Sequence, residues 1–168
     1  SDSILTDYEV ALLNTAAYTQ LEISPLPALR VVVALRYDHF NYNYSNNLSA
    51  NSFSGAPDSK DQFQNLSPKV GFTYDFGKER GFYGNYSIGF VPPQVSELYR
   101  GVKVPVLEPS VYKNYEVGGW FSFAKNGYFD LSLYQLDGSN EVINVLLDDG
   151  TRENRNAGKT LHQGIEYS

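Results

Sequence analysis

From Leu29 onward the apolar residues of the chain return at every second position. One phase reads Leu29, Val31, Val33, Leu35 and Tyr37, and the other Arg30, Val32, Ala34, Arg36 and Asp38. A side-chain period of two belongs to a β-strand whose two faces meet different surroundings. The alternation recurs at 66–76, 82–90, 114–123, 129–134 and 161–167, with a weaker segment at 16–23. About seven strands are therefore expected, in an all-β antiparallel arrangement. Helical periodicity is absent except at 95–101, which is expected to form at most one turn.

Several of these strands are about ten residues long. At about 3.3 Å per residue and a tilt near 45°, that spans roughly 25 Å, the height of the apolar band of a transmembrane β-barrel. The connections point the same way. Short ones fall at 25–28, 77–80 and 125–127, the last carrying the hairpin dipeptide Asn126-Gly127. Long ones fall at 45–65, with a turn expected at Gly55-Ala56-Pro57-Asp58, and at 92–111. Tight turns at one end and long loops at the other are the asymmetry of outer-membrane barrels. The stretch 137–156 is expected to extend the wall as a hairpin above the membrane, through the apolar run 142–147 and the turn Asp148-Asp149-Gly150.

Composition narrows the function classes. The net charge of −6 gives no basic face for a nucleic acid. Cysteine is absent, so thiolate chemistry and disulfides are absent too. No run approaches 18 apolar residues, which excludes a membrane-spanning helix but not a barrel strand. The 14 Tyr against one Trp suit surfaces that are half apolar and half wet. Ser1–Val10 shows no basic segment followed by an apolar one, so it is not read as a signal peptide, and the chain is read as a piece of something longer.

Catalysis finds no support. Of the two histidines, His39 lies at a strand end and His162 on the last strand. Asp148, Asp149, Glu153 and Asn154 cluster oxygens without the spacing of a calcium loop, and are read as a hairpin turn. No metal site or cofactor is expected. Arg36, Asp38, Lys69, Glu116 and Glu166 fall on polar phases and are expected to face an enclosed lumen in structural roles. Tyr42, Tyr44, Phe90, Tyr99 and Tyr112 fall where an external vestibule would begin, beside Arg100 and Lys103. Aromatic walls bind ligands by stacking and apolar contact, and the two cations would attract an anionic one.

Several stretches taken in order resemble the C-terminal half of TonB-dependent outer-membrane receptors. They are Leu35-Arg36-Tyr37-Asp38; Ser67-Pro68-Lys69-Val70-Gly71-Phe72-Thr73-Tyr74; Phe82 to Phe90 followed by Pro92-Pro93 and Ser96-Glu97-Leu98-Tyr99; Leu107-Glu108-Pro109 with Asn114-Tyr115-Glu116-Val117-Gly118; and Asn156-Ala157-Gly158-Lys159 with Gly164-Ile165-Glu166. The family pattern often carries Arg or Lys before the loop proline, where this chain has Val91. The resemblance implies about seven consecutive strands of an approximately 22-stranded barrel, with the plug domain and the closing strands outside this chain. It also implies an outer membrane of a Gram-negative bacterium with its lipid, an iron-siderophore complex as ligand, and TonB as the energy-coupling partner acting through the plug. A passive porin-like barrel and a soluble β-sandwich binding module are the competing readings. A sandwich would clasp the apolar faces together in a dry interior.

Overall fold

A computed structural model describes residues 4–123, 127–148 and 150–168. The turn expected at Asn126 and the acidic residue Asp149 lie outside the described residues, as do the first three residues of the N-terminal stretch. The chain forms seven strands: β1 (Tyr8–Leu26), β2 (Leu29–Asn46), β3 (Ser59–Asp75), β4 (Arg80–Val91), β5 (Ser110–Phe123), β6 (Gly127–Leu146) and β7 (Arg152–Tyr167). A five-residue helix, α1 (Val95–Tyr99), lies between β4 and β5. The strands form one antiparallel sheet in sequence order, each paired with its chain neighbours.

The apolar faces are not clasped together. By register, Val31, Val33 and Leu35 share a face with Leu66, Val70 and Phe72, with Tyr115 and Val117, and with Leu131, Leu133 and Ile165. On this outer face most of the large side chains are exposed, Val117 at 55% and Ile165 at 68% among them. The inner face carries Arg36, Ser67, Lys69, Asn85, Asn114, Glu116, Ser132 and Glu166. Bare spots on it are covered by rings: a Cβ at Gly118 would run into the Tyr83 ring, and one at Gly81 into Trp120.

Most strands are longer than expected, and their upper halves explain why. Along β2 the outer phase turns polar after Tyr37 (His39, Asn41, Asn43, Ser45), while the inner phase turns aromatic (Phe40, Tyr42, Tyr44). Along β3 the outer residues Lys60, Gln62 and Gln64 give way to Leu66, and Phe63 lies inside. Amphipathicity persists but reverses sign. The reversal falls at one level on both strands, where the Tyr37 hydroxyl donates to Gln64 at 3.0 Å. The outer face below it is the apolar band, with Tyr37 at its upper end, the Tyr86 and Tyr115 rings in contact across from Val70, and the Tyr74, Phe76 and Phe82 rings at 5.0–5.6 Å at its lower end.

Two expectations are corrected. The connection placed at 45–65 shortens to 47–58, because both flanking strands continue upward. The turn expected at Gly55–Asp58 sits one step earlier, at 52–54, closed by the bridge Asn51–Gly55. The stretch 137–156 extends the wall as a hairpin, as expected, within the continuous pair β6–β7, which has a register shift where Asn140 adopts φ 56.

The β3–β4 ladder ends early. β2 pairs with β3 from Ser59 to Tyr74, but β4 pairs only with Lys69 to Asp75. Asp75 N–H donates to Ala28, on the β2 side, and Phe76 N–H donates to Arg80, on the β4 side. Even-numbered residues of β3 therefore point their backbone groups at β4, and the next in line is Pro68, which has no N–H to offer. Above it β4 parts from β3 while staying paired with β5 up to Val91. Phe90 follows the outer phase of Phe82, Tyr86 and Ile88, yet its ring meets the inner-phase Phe40 edge to face at 5.7 Å. That contact brings the top of β4 toward the inner side of β3.

Val70, mid-height on the outer face, and Ser67, on the inner face, give a test of the two surfaces. In the full-length protein folded into a bilayer, Val70→Arg is expected to cost about 2–4 kcal/mol and Ser67→Arg under about 1 kcal/mol. Denaturant titration followed by heat-modifiable gel migration reads both, and equal costs would mean that the faces are misassigned.

Candidate ligand vestibule

Because the top of β4 comes toward the inner side of β3, the segment 92–109 is drawn across the inner side of the upper wall rather than standing free in water. Its first part docks on β2 and β3. The Tyr42 hydroxyl donates to the Pro93 carbonyl at 3.1 Å, and Pro93 is fully buried. The Glu97 carboxylate accepts from the Gln94 N–H at 2.7 Å and closes the single turn of α1, which aims Leu98 and Tyr99 at the wall. Tyr99 stacks on Tyr44 with centroids 4.3 Å apart and planes at 11°. Its hydroxyl donates to Asp61 at 2.6 Å. Its carbonyl accepts from the Ala56 N–H at 3.0 Å, which ties the 47–58 loop to the same point.

Gly55 makes that junction possible. It has φ +97, and a Cβ there would lie 2.7 Å from the Tyr99 carbonyl oxygen and 2.8 Å from the Tyr44 hydroxyl. The second part of the segment docks on β6 and β7. Asn154 donates to the Glu97 carbonyl at 2.8 Å, while Asn156 donates to the Glu108 carbonyl at 2.8 Å and accepts from the Glu108 N–H at 2.7 Å.

The expected vestibule residues thus divide. Tyr42, Tyr44 and Tyr99 form one buried cluster with Phe63, Ala56, Leu98 and Leu107. Phe90 packs at its edge through Phe40. Tyr112 is half-buried on the inner face beside Glu141, and Arg100 caps α1 with its side chain exposed. Lys103 is exposed three residues further on. Among the lumen residues, Arg36 grips Asp38 with two bonds of 2.7 and 2.8 Å, and Asn14 adds a third at 3.4 Å. Asn85 donates to Glu116 at 3.0 Å and accepts from Asn114 at 3.3 Å. Lys69 and Glu166 are exposed on the same face.

Sequence reasoning missed Asp61, Gly55, Pro93, Asn154 and Asn156 as the parts that hold the loop. Asp61 fell inside a Ser- and Asn-rich stretch, and Asn154 was grouped with an acidic tip.

Burial pushes the Tyr99 phenol above its ordinary pKa of 10.0, and the hydrogen bond to the Asp61 carboxylate pushes the same way. Burial raises Tyr42 and Tyr44 as well. A phenol raised by folding contributes stability that is fully present below its unfolded value and is lost as pH rises through the folded one. Loop docking is therefore expected to hold through neutral pH and to loosen only above the ordinary tyrosine range, in a step that Tyr99→Phe removes, read by limited proteolysis across an alkaline series. Gly55→Ala is expected to cost about 1–3 kcal/mol of local stability through strain and close approach. The readout is faster hydrogen exchange at 47–58 and 95–99 with the barrel below unchanged.

A family model described as TonB dependent receptor-like, beta-barrel matches residues 5–168. No curated protein matches the chain. Among solved structures, the siderophore receptor PiuA from Acinetobacter baumannii is similar at 17% identity and a TM-score of 0.73, over 96% of this chain and 23% of PiuA. The ferric-catecholate import receptor Fiu from E. coli K12 gives 18% and 0.73, over 95% of this chain and 25% of Fiu. The hemophore receptor HasR from Serratia marcescens, a double mutant solved with its hemophore HasA and heme, gives 17% and 0.71, over 92% of this chain and 31% of HasR. The chain thus spans about a quarter to a third of the length of these receptors, and the likeness at such identities is one of fold.

Proposed function

The chain belongs to the TonB-dependent receptor β-barrel family, and from that premise we propose that it forms part of the wall of an outer-membrane receptor that binds and imports a ferric siderophore. The observation that carries the proposal is the inward-folded segment 92–109. It narrows the mouth of the wall and leaves Arg100 and Lys103 exposed above a rigid aromatic floor. A loop held by hydrogen bonds to both sides offers the preorganised surface that a receptor needs. In this reading Tyr42, Tyr44 and Tyr99 shape the vestibule, Phe90 closes its edge, and Arg100 and Tyr112 contact the ligand.

The polar inner wall of Arg36, Asp38, Lys69, Glu116 and Glu166 faces a plug domain in the same reading, and TonB acts on that plug. Further strands complete the barrel, since an open sheet edge in hydrocarbon leaves backbone groups unpaired. The outer face of Val33, Val70, Val117 and Leu133 meets the lipid of a Gram-negative outer membrane. The family is one of receptors and transporters rather than enzymes, and the proposal contains no chemical step on the ligand.

Growth of a deletion strain and its complemented parent on single ferric chelates as sole iron source tests the proposal. Loss of growth on one or a few siderophores is expected. A defect that appeared only with cobalamin or an oligosaccharide would overturn the assignment. Replacing both Arg100 and Lys103 by Glu is expected to weaken binding of an anionic chelate about ten-fold or more at low salt, with the difference shrinking as salt screens the charges. A direct binding titration at two ionic strengths reads it.

A further inference from the structure

High on β6 the chain departs from the alternation that governs the rest of the wall. Gly138 lies on the inner face, paired with Tyr112 on β5 and Thr160 on β7. By alternation Glu141 would point outward. The register shift after Gly138 inserts one residue, and Glu141 instead pairs with Gly158, on the inner phase of β7. Asn140 makes this change of face with φ 56, a conformation that non-glycine residues rarely take. Its carbonyl accepts from Ser110 at 3.1 Å and from Asn156 at 2.6 Å, and its side chain donates to Glu108 at 3.2 Å. A backbone outlier held from three sides, and re-aiming one side chain, points to a role for that side chain.

The Glu141 carboxylate lies over Gly138, where an added Cβ would run into it and into the Thr160 hydroxyl. Thr160 donates to its Oε1 at 2.5 Å, and the Tyr112 phenol lies beside it. Beyond Tyr112 the inner wall is bare at Gly89, where a Cβ would meet nothing within 4 Å. Glu141 is half-buried, yet neither ion pair among the described residues, Arg36–Asp38 or Arg155–Glu153, includes it. A carboxylate accepts about four hydrogen bonds. One partly withdrawn from water without a counter-ion carries a desolvation cost that a cationic guest would offset.

Resting on the reading of 92–109 as the wall of a ferric-chelate vestibule, we propose that Glu141, with Thr160 and Tyr112, determines specificity by binding a protonated primary amine on the ligand. The ligand class is then an amphoteric ferric chelate, with an iron centre drawn by Arg100 and Lys103 and a pendant ammonium held at Glu141. A primary ammonium carries three N–H donors. The Glu141 carboxylate and the hydroxyl oxygens of Thr160 and Tyr112 supply three acceptors, the first of them charged. A neutral amide in the same place would lose the charge and two of the three donors. The segment that carries the two cations is tied to the bulge itself through Glu108 and Asn156, so the two poles are fastened to each other.

The test uses the full-length receptor in nanodiscs and two matched pairs of ferric chelates, a linear trihydroxamate and a tricatecholate. Each has a pendant primary amine, free in one member and N-acetylated in the other. Competition binding near neutral pH gives the ratio of affinities within a pair. For the chelate type that the receptor takes, the free amine is expected to bind about ten-fold or more tighter than the acetylated form. Glu141→Gln keeps an acceptor for Thr160 and removes only the charge, and is expected to bring that ratio close to one. A ratio of one or below in both pairs on the unaltered receptor would overturn the proposal, whether or not the variant folds. So would a Glu141→Gln variant that weakens both members of a pair equally, which would make Glu141 a prop of the wall or a partner of the plug, or receptor-dependent growth confined to chelates without an amine. Each of these outcomes leaves the ferric-chelate reading standing. That reading fails separately, if growth depends on the receptor with no ferric chelate at all.

Discussion

Everything in this wall depends on the backbone ladder, because in a strand the ladder fixes both the partner and the face of every residue. Below the level of Pro68 every strand from β1 to β7 is paired with its chain neighbours, and there it has to be, since hydrocarbon offers no substitute for a missing partner. Once the register is set, the outer surface is apolar and the inner surface polar without further specification. A slip of one residue would invert both. The networks on the inner face, such as Asn114–Asn85–Glu116, follow from that register rather than create it: side chains on two neighbouring strands, β4 and β5, are brought within reach and find one another.

The ladder breaks only where water can replace it, and the break shapes the mouth. Pro68 cannot donate to β4, and it stands one outer position below Leu66, the last apolar residue of that phase, at the point where β4 parts from β3. The top of β4 becomes the root of an inward loop. Ordering that loop costs conformational entropy at each residue, so it has to be held. Tyr99 does much of the holding, by a stacked ring worth about 0.5–1.5 kcal/mol beyond its burial and by a short bond to a carboxylate. Gly55 lets the neighbouring loop reach the same anchor. Asn154 and Asn156, both on β7, fasten the segment at a second place away from β2 and β3, so that it does not lean on one edge alone.

How much of this was legible follows from the same sign reversal. The lower halves of β2, β3, β4 and β5 were readable because one phase is uniformly apolar. The upper halves were not, because Lys60-Asp61-Gln62-Phe63 and His39-Phe40-Asn41-Tyr42 alternate in the opposite sense. Joined to the lower strand they look like decay into a polar loop. Phase alone also could not place Phe90, whose outer-phase ring packs on an inner-phase neighbour where β4 parts from β3. The tyrosines at the strand tops drew notice by residue type, but their burial under α1 depends on Pro93, Leu98 and Asp61 meeting them from distant parts of the chain. No local pattern announces a contact between residues 38 positions apart.

The reversal also locates the boundary of the bilayer without reference to any relative. A single strand that is apolar outside and polar inside up to Tyr37, then polar outside and aromatic inside from His39, obeys two solvents in turn. Below, the low-dielectric medium is outside the wall; above, it is inside, made by the chain's own loops. Asp38 sits at the crossing, 2% exposed, where the inner face changes from wet to dry. A carboxylate so placed has to be partnered. Arg36, one pleat below on the wet side and half exposed, reaches up to it with two bonds, so the pair spans the crossing with the anion in the dry layer and part of the cation still in water. A neutral residue at position 38 would relieve the desolvation but leave the Arg36 guanidinium without its partner, so the crossing is fixed as a pair and not as two independent choices.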